Sequence, residues 1–229
     1  MKQLPLPIQL DQRATFDSFI EGGNAAVVSQ LKALVSDQGE DQIYIWSSAS
    51  RGKTHLLQAV CHLAAAENMR AGYFPLGDLM HFGPGFLQGL EQLRIICLDD
   101  VERVWEDERW AGGLFHFMNR CRTQGCKVLV AADQGPHTLS GSLADLASRF
   151  SRGAVFELKS LQDDELREFV VCWGRGRGFE LPEDVVSFLL LRTCRDIQLL
   201  VKLVDRLDAE ALAQKRRITV RFTKSVLGL

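Results

Sequence analysis

The chain carries two hydrophobic rhythms. Up to about residue 159, short runs of apolar, β-branched and aromatic residues alternate with longer stretches in which apolar positions recur every three or four residues. The short runs, at 43–46, 71–74, 93–98, 127–132 and 154–158, are too continuous for half-exposed strands and too short for helices. They predict strands buried on both faces. The longer stretches predict amphipathic helices. One carries Ala26, Val27, Leu31 and Leu34, and a second runs from His55 to near Asn68. A third spans 106–125 with Trp110, Leu114, Phe117, Met118 and Cys121 on one face, and a short one lies near 143–150. Such alternation predicts a parallel sheet covered on both sides, a three-layer α/β/α fold. Between 75 and 89, Gly77, Gly83, Pro84, Gly85 and Gly89 predict mostly loop with at most one short helix.

From Ser160 onward the strand rhythm is gone. Leu166, Phe169, Val170 and Trp173 mark one helix, ended by Gly174, Gly176 and Gly178. Pro182 suits the first turn of the next, through Val185, Val186, Phe188 and Leu189. Ile197, Leu200, Val201, Val204, Leu207 and Ala211 mark a third, and a terminal helix is expected from Thr223. The pattern is a small helical bundle appended to an α/β core, with domains at 13–159 and 160–229. A tail at 1–12 precedes them. Its prolines Pro5 and Pro7 exclude a helix, yet Leu4, Leu6, Ile8 and Leu10 are too apolar for a solubilising extension. Two readings stay open: a stiffened peptide ligand whose alternate side chains fill pockets, or a strap on its own domain.

Composition narrows the class. The 229 residues supply ample apolar content for a core, and the formal net charge is −2. A pI of about 6.2 argues against a protein devoted to neutralising nucleic-acid phosphates, so strong direct DNA binding is not expected. The basic residues Lys215, Arg216, Arg217, Arg221 and Lys224 read as a solvated face. Six scattered cysteines (Cys61, Cys97, Cys121, Cys126, Cys172 and Cys194) lack the spacing of a zinc site and suggest buried thiols in a reducing cytoplasm. No apolar run is long enough to span a membrane.

The chemistry concentrates after the first strand. Ser47-Ser48-Ala49-Ser50-Arg51-Gly52-Lys53-Thr54 joins it to a helix, the context a phosphate-binding loop requires. Backbone N–H groups of Ser50, Arg51, Gly52 and His55 would converge on phosphate oxygens. Lys53 brings a point charge, and the Thr54 hydroxyl is suited to Mg²⁺. The full pattern begins with glycine where this chain has Ser47, and a serine there or at Ser50 would be strained if φ had to be positive. The run 93–98 delivers Asp99 and Asp100 to a strand end, Asp99 to hold the metal and Asp100 to orient water.

These motifs, in this order, resemble the AAA+ ATPases, and more narrowly the branch of the bacterial replication initiator DnaA. The residues that carry the likeness are Thr15-Phe16-Asp17 with Phe19 and Asn24, Gly52-Lys53-Thr54-His55-Leu56-Leu57, Asp99-Asp100, and Leu146-Ala147-Ser148-Arg149-Phe150. The resemblance implies an AAA+ core with a helical lid that binds ADP or ATP. Phe16 would flank the adenine, Asp133 would take the sensor-1 position, and Arg149 would be an arginine finger acting in trans. Gln198 falls where the branch has its sensor-2 arginine, with Arg195 the nearest substitute. The tail residues Gln3, Leu4, Leu6, Pro7 and Ile8 look like a motif for the β subunit of the DNA polymerase sliding clamp. Together these parts imply a clamp-bound, DnaA-related regulator of replication initiation that stimulates ATP hydrolysis on DnaA. The departures at Ser47, Ser50 and Gln198 imply weak turnover of its own. A homo-oligomer stays open. An autonomous helicase-loader-like ATPase acting on DNA is the alternative; a small-molecule kinase fits less well.

Overall fold

The computed structural model describes residues 9–193 and 196–228. The tail residues Gln3, Leu4, Leu6, Pro7 and Ile8, expected to bind the clamp, lie outside them together with Cys194. The described chain divides between Lys159 and Ser160 into two compact units.

The first unit is built on five parallel strands: β1 (Gln42–Trp46), β2 (Ala71–Pro75), β3 (Ile95–Asp99), β4 (Lys127–Ala132) and β5 (Ala154–Glu157). Their order across the sheet is β2-β3-β4-β1-β5. Ile43 faces Leu129 on one neighbour and Ala154 on the other, so all five strands begin along the same edge and end along the opposite one. Successive side chains on a strand point to opposite faces, and β1 seeds two cores this way. Ile43 and Ile45 pack with Leu31, Leu56, Leu57 and Val60, from α1 (Ala25–Val35) and α2 (Lys53–Ala66). Tyr44 packs on the other side with Leu114 and Phe117 of α4 (Glu108–Gln124) and Phe150 of α5 (Ala144–Phe150). All five residues of the expected α4 stripe are buried. Burial on that scale stabilises by roughly 1.5–3 kcal/mol for each large side chain.

Segment 75–92 is more ordered than its glycines suggest. A single turn of helix, α3 (Leu76–Leu79), is followed by three 3-10 turns at Met80–Phe82, Pro84–Leu87 and Leu90–Gln92. The glycines interrupt helix growth without abolishing it. Lys127, at the start of β4, is buried and donates to the Leu34 carbonyl at 2.6 Å while pairing with Asp37.

The second unit is helical: α6 (Asp163–Gly176), α7 (Glu183–Arg192), α8 (Ile197–Gln214) and α9 (Val220–Leu227). Polar brackets join them. Trp173 Nε1 donates to Asp205 at 2.9 Å, and Arg177 pairs with Asp205 and Asp208. Three local expectations shift. Helix α9 starts three residues before Thr223, because the Thr219 side chain caps it by accepting from the Phe222 N–H. Pro182 precedes α7 as its extended N-cap residue, outside the first turn. Cys172 is exposed on α6, whereas Cys61, Cys97, Cys121 and Cys126 are buried as expected.

Candidate functional site

The loop after β1 starts from the sheet itself. Ser47 N–H donates to the Ala132 carbonyl of β4 at 3.2 Å, and Ser47 is fully buried. Its hydroxyl donates to the Ala49 carbonyl at 2.7 Å. Lys53, the first residue of α2, turns its ammonium onto the Ser47 carbonyl at 2.8 Å and hydroxyl at 3.2 Å. Neither serine adopts a positive φ, so the strain anticipated at Ser47 and Ser50 does not arise. The left-handed residue is Gly52, with φ 87°, where an added Cβ would sit 2.7 Å from Phe19 Cε2. Glycine is required there twice over, by torsion and by space.

Asp99, 1% exposed, closes β3 beside this loop. Its carboxylate accepts from the Thr54 hydroxyl at 2.7 Å, the Tyr73 hydroxyl at 2.9 Å and the Asp100 N–H at 3.1 Å. A helix N-terminus, an ammonium and, beside them, a hydroxyl–carboxylate pair make a cradle for a polyanion together with a hard cation. The donor set suits Mg²⁺, which keeps waters and needs only one or two protein oxygens. Among the described residues no group of three or more His, Cys, Asp or Glu gathers into a metal site.

Asp100 is half-buried in a left-handed turn, φ 53°. Burial and the neighbouring Asp99 hold its pKa above the ordinary carboxylate range. Two residues on, Glu102 is raised as well, by burial and then by Asp133 and Asp100. One of its carboxylate oxygens is buried without a hydrogen-bond partner among the described residues. Asp133 itself is exposed just past β4, on a turn fixed by the Tyr44 hydroxyl donating to the Gln134 carbonyl at 2.8 Å. Sequence reasoning missed Glu102 and Tyr73, and gave Phe19 only as one of the residues that carry the family likeness. The pairing of β2 with β3, which sets Tyr73 opposite Cys97, is the signal that could have found Tyr73.

The remaining residues fall into place around the loop. Phe16 is 9% exposed and belongs to the core beneath α1, with Lys32 Nζ 5.4 Å from its ring centre. Phe19 lies nearer Gly52, and its ring stands 5.5 Å from the imidazole of His55. His55 Nε2 donates to the Thr15 carbonyl at 2.8 Å, and burial lowers its pKa. Arg51 turns away from the loop to the Leu158 carbonyl at 2.5 Å and Glu157 at 3.7 Å, which ties the loop to β5. Arg195 lies outside the described residues.

Arg149 occupies the opposite edge of the sheet. The Gln42 side chain, where β1 begins, donates to the carbonyls of Arg149 at 2.7 Å and Phe150 at 3.1 Å. The phosphate loop leaves from the other end of β1, about 13 Å further along the strand. The Arg149 guanidinium stacks over Phe115 at 4.6 Å, and its Nε is buried without an acceptor among the described residues. The two groups of site residues therefore do not converge on one centre within the chain.

Comparison with known proteins agrees with this architecture. The bacterial DnaA ATPase domain matches residues 10–77 and 84–157, and the Hda lid domain matches residues 163–227. The fold is similar to domain III of the Thermotoga maritima replication initiation protein DnaA, at TM-score 0.85 and 22% identity, over 96% of this chain and 98% of that one. It is similar to AMPPCP-bound DnaA from Aquifex aeolicus at TM-score 0.74 and 26% identity, over 91% and 70% of the two chains. The Thermotoga maritima RuvB branch migration motor shares the fold more distantly, at TM-score 0.72 and 18% identity, over 96% and 73%. With a DnaA-type ATPase domain across more than half its length and an Hda-type lid after it, the chain belongs to the DnaA-related AAA+ proteins.

Proposed function

We propose that this chain is an Hda-like regulator of replication initiation, which holds an adenine nucleotide in its own site and supplies Arg149 to ATP bound on DnaA. The observation that carries the reading is the separation just described. Arg149 is anchored at the sheet edge away from its own phosphate loop and stacked on Phe115, with no carboxylate within 4.0 Å among the described residues. An arginine so placed is of no use to its own nucleotide and is disposed to serve a neighbour's. A guanidinium that meets the charge developing on a transferring phosphoryl group is worth about 10³ to 10⁵ in rate.

In the chain's own site, backbone N–H groups from Ser50 to His55 and the Lys53 ammonium would hold the phosphates. The Thr54 hydroxyl and Asp99 would hold Mg²⁺, which neutralises phosphate charge when bound. Phe16 and Phe19 stand on the adenine side of this reading, with Asp133 and Arg195 in the sensor roles. The tail residues Gln3, Leu4, Leu6, Pro7 and Ile8 would fasten the protein to the sliding clamp and so concentrate it near DNA-bound DnaA. The intact arrangement of Thr54, Asp99 and Asp100 favours one competitor, an autonomous ATPase acting on DNA.

The test is hydrolysis of DnaA-bound ATP with and without this chain, clamp and DNA. Stimulation is expected from the intact protein, with severe loss on Arg149→Ala and on removal of residues 1–10. Undiminished stimulation by Arg149→Ala would overturn the reading, and brisk ATP turnover by the chain alone would favour its competitor.

A further inference from the structure

Arg149 does not stand alone. Helix α4 ends beside it with Arg122 in its last turn, and Arg152 follows in the turn before β5. The three arginines line one open cleft of about 520 Å³, floored by Gln42 and Gly153. That volume is within the range of small-ligand sites. Of the seven other arginines of the same unit, Arg13, Arg51, Arg94, Arg109 and Arg120 each face a carboxylate within 4.0 Å, and, among the described residues, Arg70 and Arg103 do not. Among the described residues no carboxylate comes within 4.0 Å of Arg122, Arg149 or Arg152. Glu40 and Asp41 also line the cleft, exposed and beyond that distance.

We propose that Arg122 and Arg152 extend Arg149 into a three-guanidinium receiving site for the polyphosphate of a nucleotide presented by another AAA+ subunit. The inference rests on the function proposed above and deepens it. Like charges gathered without an ion-paired carboxylate repel one another. Partial desolvation and the nearby charges of Arg149 and Arg122 all lower the Arg152 pKa. A bound polyanion relieves that repulsion, and guanidiniums match phosphate oxygens in pairs.

The three residues divide the work by how they are anchored. Gln42 fixes the Arg149 backbone and Phe115 lies beneath the guanidinium, so Arg149 is the anchored member of the three. Arg122 and Arg152 are exposed, with no ion pair among the described residues. They would grip oxygens that do not change charge during transfer. Such contacts hold ground state and transition state equally, and so set affinity and encounter rate rather than the maximal rate.

The experiment measures hydrolysis of DnaA-bound ATP against the concentration of the full chain, with clamp and DNA present, at several salt concentrations. Arg122→Ala and Arg152→Ala should each raise the half-saturating concentration about fivefold, with the maximal rate within about twofold of the parent. The double variant should add the two effects and flatten the salt dependence. Arg152→Lys, which keeps the point charge, should restore most of the loss, whereas Arg149→Lys should not. A merely structural role would move neither the salt slope nor the lysine rescue. In parallel, tripolyphosphate binding to the Lys53→Ala chain, whose own loop is disabled, should weaken on adding the double substitution.

If Arg149→Ala collapses the rate while the double variant keeps half-saturation, salt slope and tripolyphosphate affinity, this inference fails and the proposed function stands. If Arg149→Ala is silent, both fall together.

Discussion

The two edges of the central sheet treat charge in opposite ways. Along the edge where the strands end, Lys53 lies on Ser47 and Asp99 collects Thr54, Tyr73 and the Asp100 N–H, although one Glu102 carboxylate oxygen nearby has no partner among the described residues. Along the edge where the strands begin, three arginines face a cleft without a carboxylate within 4.0 Å among the described residues. A site that completes itself is suited to holding a ligand as part of the fold. A site left electrostatically incomplete is suited to meeting charge that arrives from outside. One chain can thus be a nucleotide holder at one edge and an activator at the other.

The sharpest way to break this comparison is to disable each edge alone. Arg149→Ala should cut stimulation of DnaA-bound ATP hydrolysis by about 10³. The affinity of the chain for its own nucleotide should stay within about twofold, because the two sites sit at opposite ends of β1. Stopped-flow titration with a fluorescent nucleotide checks the second half. A parallel loss of nucleotide affinity would mean that the edges are one site.

Second in size is the internal pairing around Asp99. Asp99→Ala leaves the half-buried Tyr73 hydroxyl without its acceptor, whereas the exposed Thr54 hydroxyl can turn to water. A stranded donor costs about 1–3 kcal/mol, so urea unfolding should report a loss of about 2 kcal/mol. Asp99→Asn keeps an acceptor and should cost about half as much, while still weakening Mg²⁺-dependent nucleotide binding. An unchanged midpoint for Asp99→Ala would show that the pairing is not what holds this edge.

A smaller effect is expected at Gly52. Gly52→Ala places a methyl 2.7 Å from Phe19 in a residue with φ 87°. Strain of about 1–2 kcal/mol should follow and lower nucleotide affinity roughly tenfold. The pair Gly52→Ala with Phe19→Leu should recover the part due to crowding and leave the part due to torsion. Calorimetric titration of the single and double variants separates the two.

Much of the first edge is legible in the sequence because its parts are consecutive. The strand, the loop and the first turn of α2 lie within 42–60, and an apolar run ending in two acids announces β3. The same holds for the α4 stripe, whose helical spacing alone gave Trp110, Leu114, Phe117, Met118 and Cys121 as core. What escaped reading depends on pairing between distant segments. Tyr73 reads as a packing residue until β2 is laid beside β3. Phe19 reads only as part of the family likeness until the chain brings it over Gly52. Ser47 reads as a defect of the glycine pattern, yet its hydroxyl and carbonyl hold Lys53. At the second edge only Arg149 stood in a motif. Arg122 closes a helix and Arg152 sits in a turn, and nothing local marks their shared cleft.

The smallest expected effect concerns how the segment before α1 is latched to the loop. His55 Nε2 donates to the Thr15 carbonyl, and its ring packs against Phe19. Its pKa is lowered from 6.5, by burial first and with a contribution from His62; the Thr15 bond and Asp11 pull it back up. A base with a depressed folded pKa binds its proton less readily in the native state than in the open one. The latch is therefore fully stable above about pH 6.5 and weakens as pH falls below that value, because the opened segment takes up a proton that the closed one refuses. Asp100 and Glu102 carry raised values and act in the opposite sense, favouring the native state at lower pH. His55→Gln isolates the histidine from them. Amide exchange at Thr15 and Phe19, whose N–H groups bond to Ser18 Oγ and the Phe16 carbonyl, is the local readout. Corrected for intrinsic rates, protection in the parent chain should fall between pH 7.5 and 5.5 and stay flat in His55→Gln. Equal pH profiles for the two would show that the latch is held by packing alone, and that the nucleotide-holding edge has no proton-sensitive part that its opposite edge lacks.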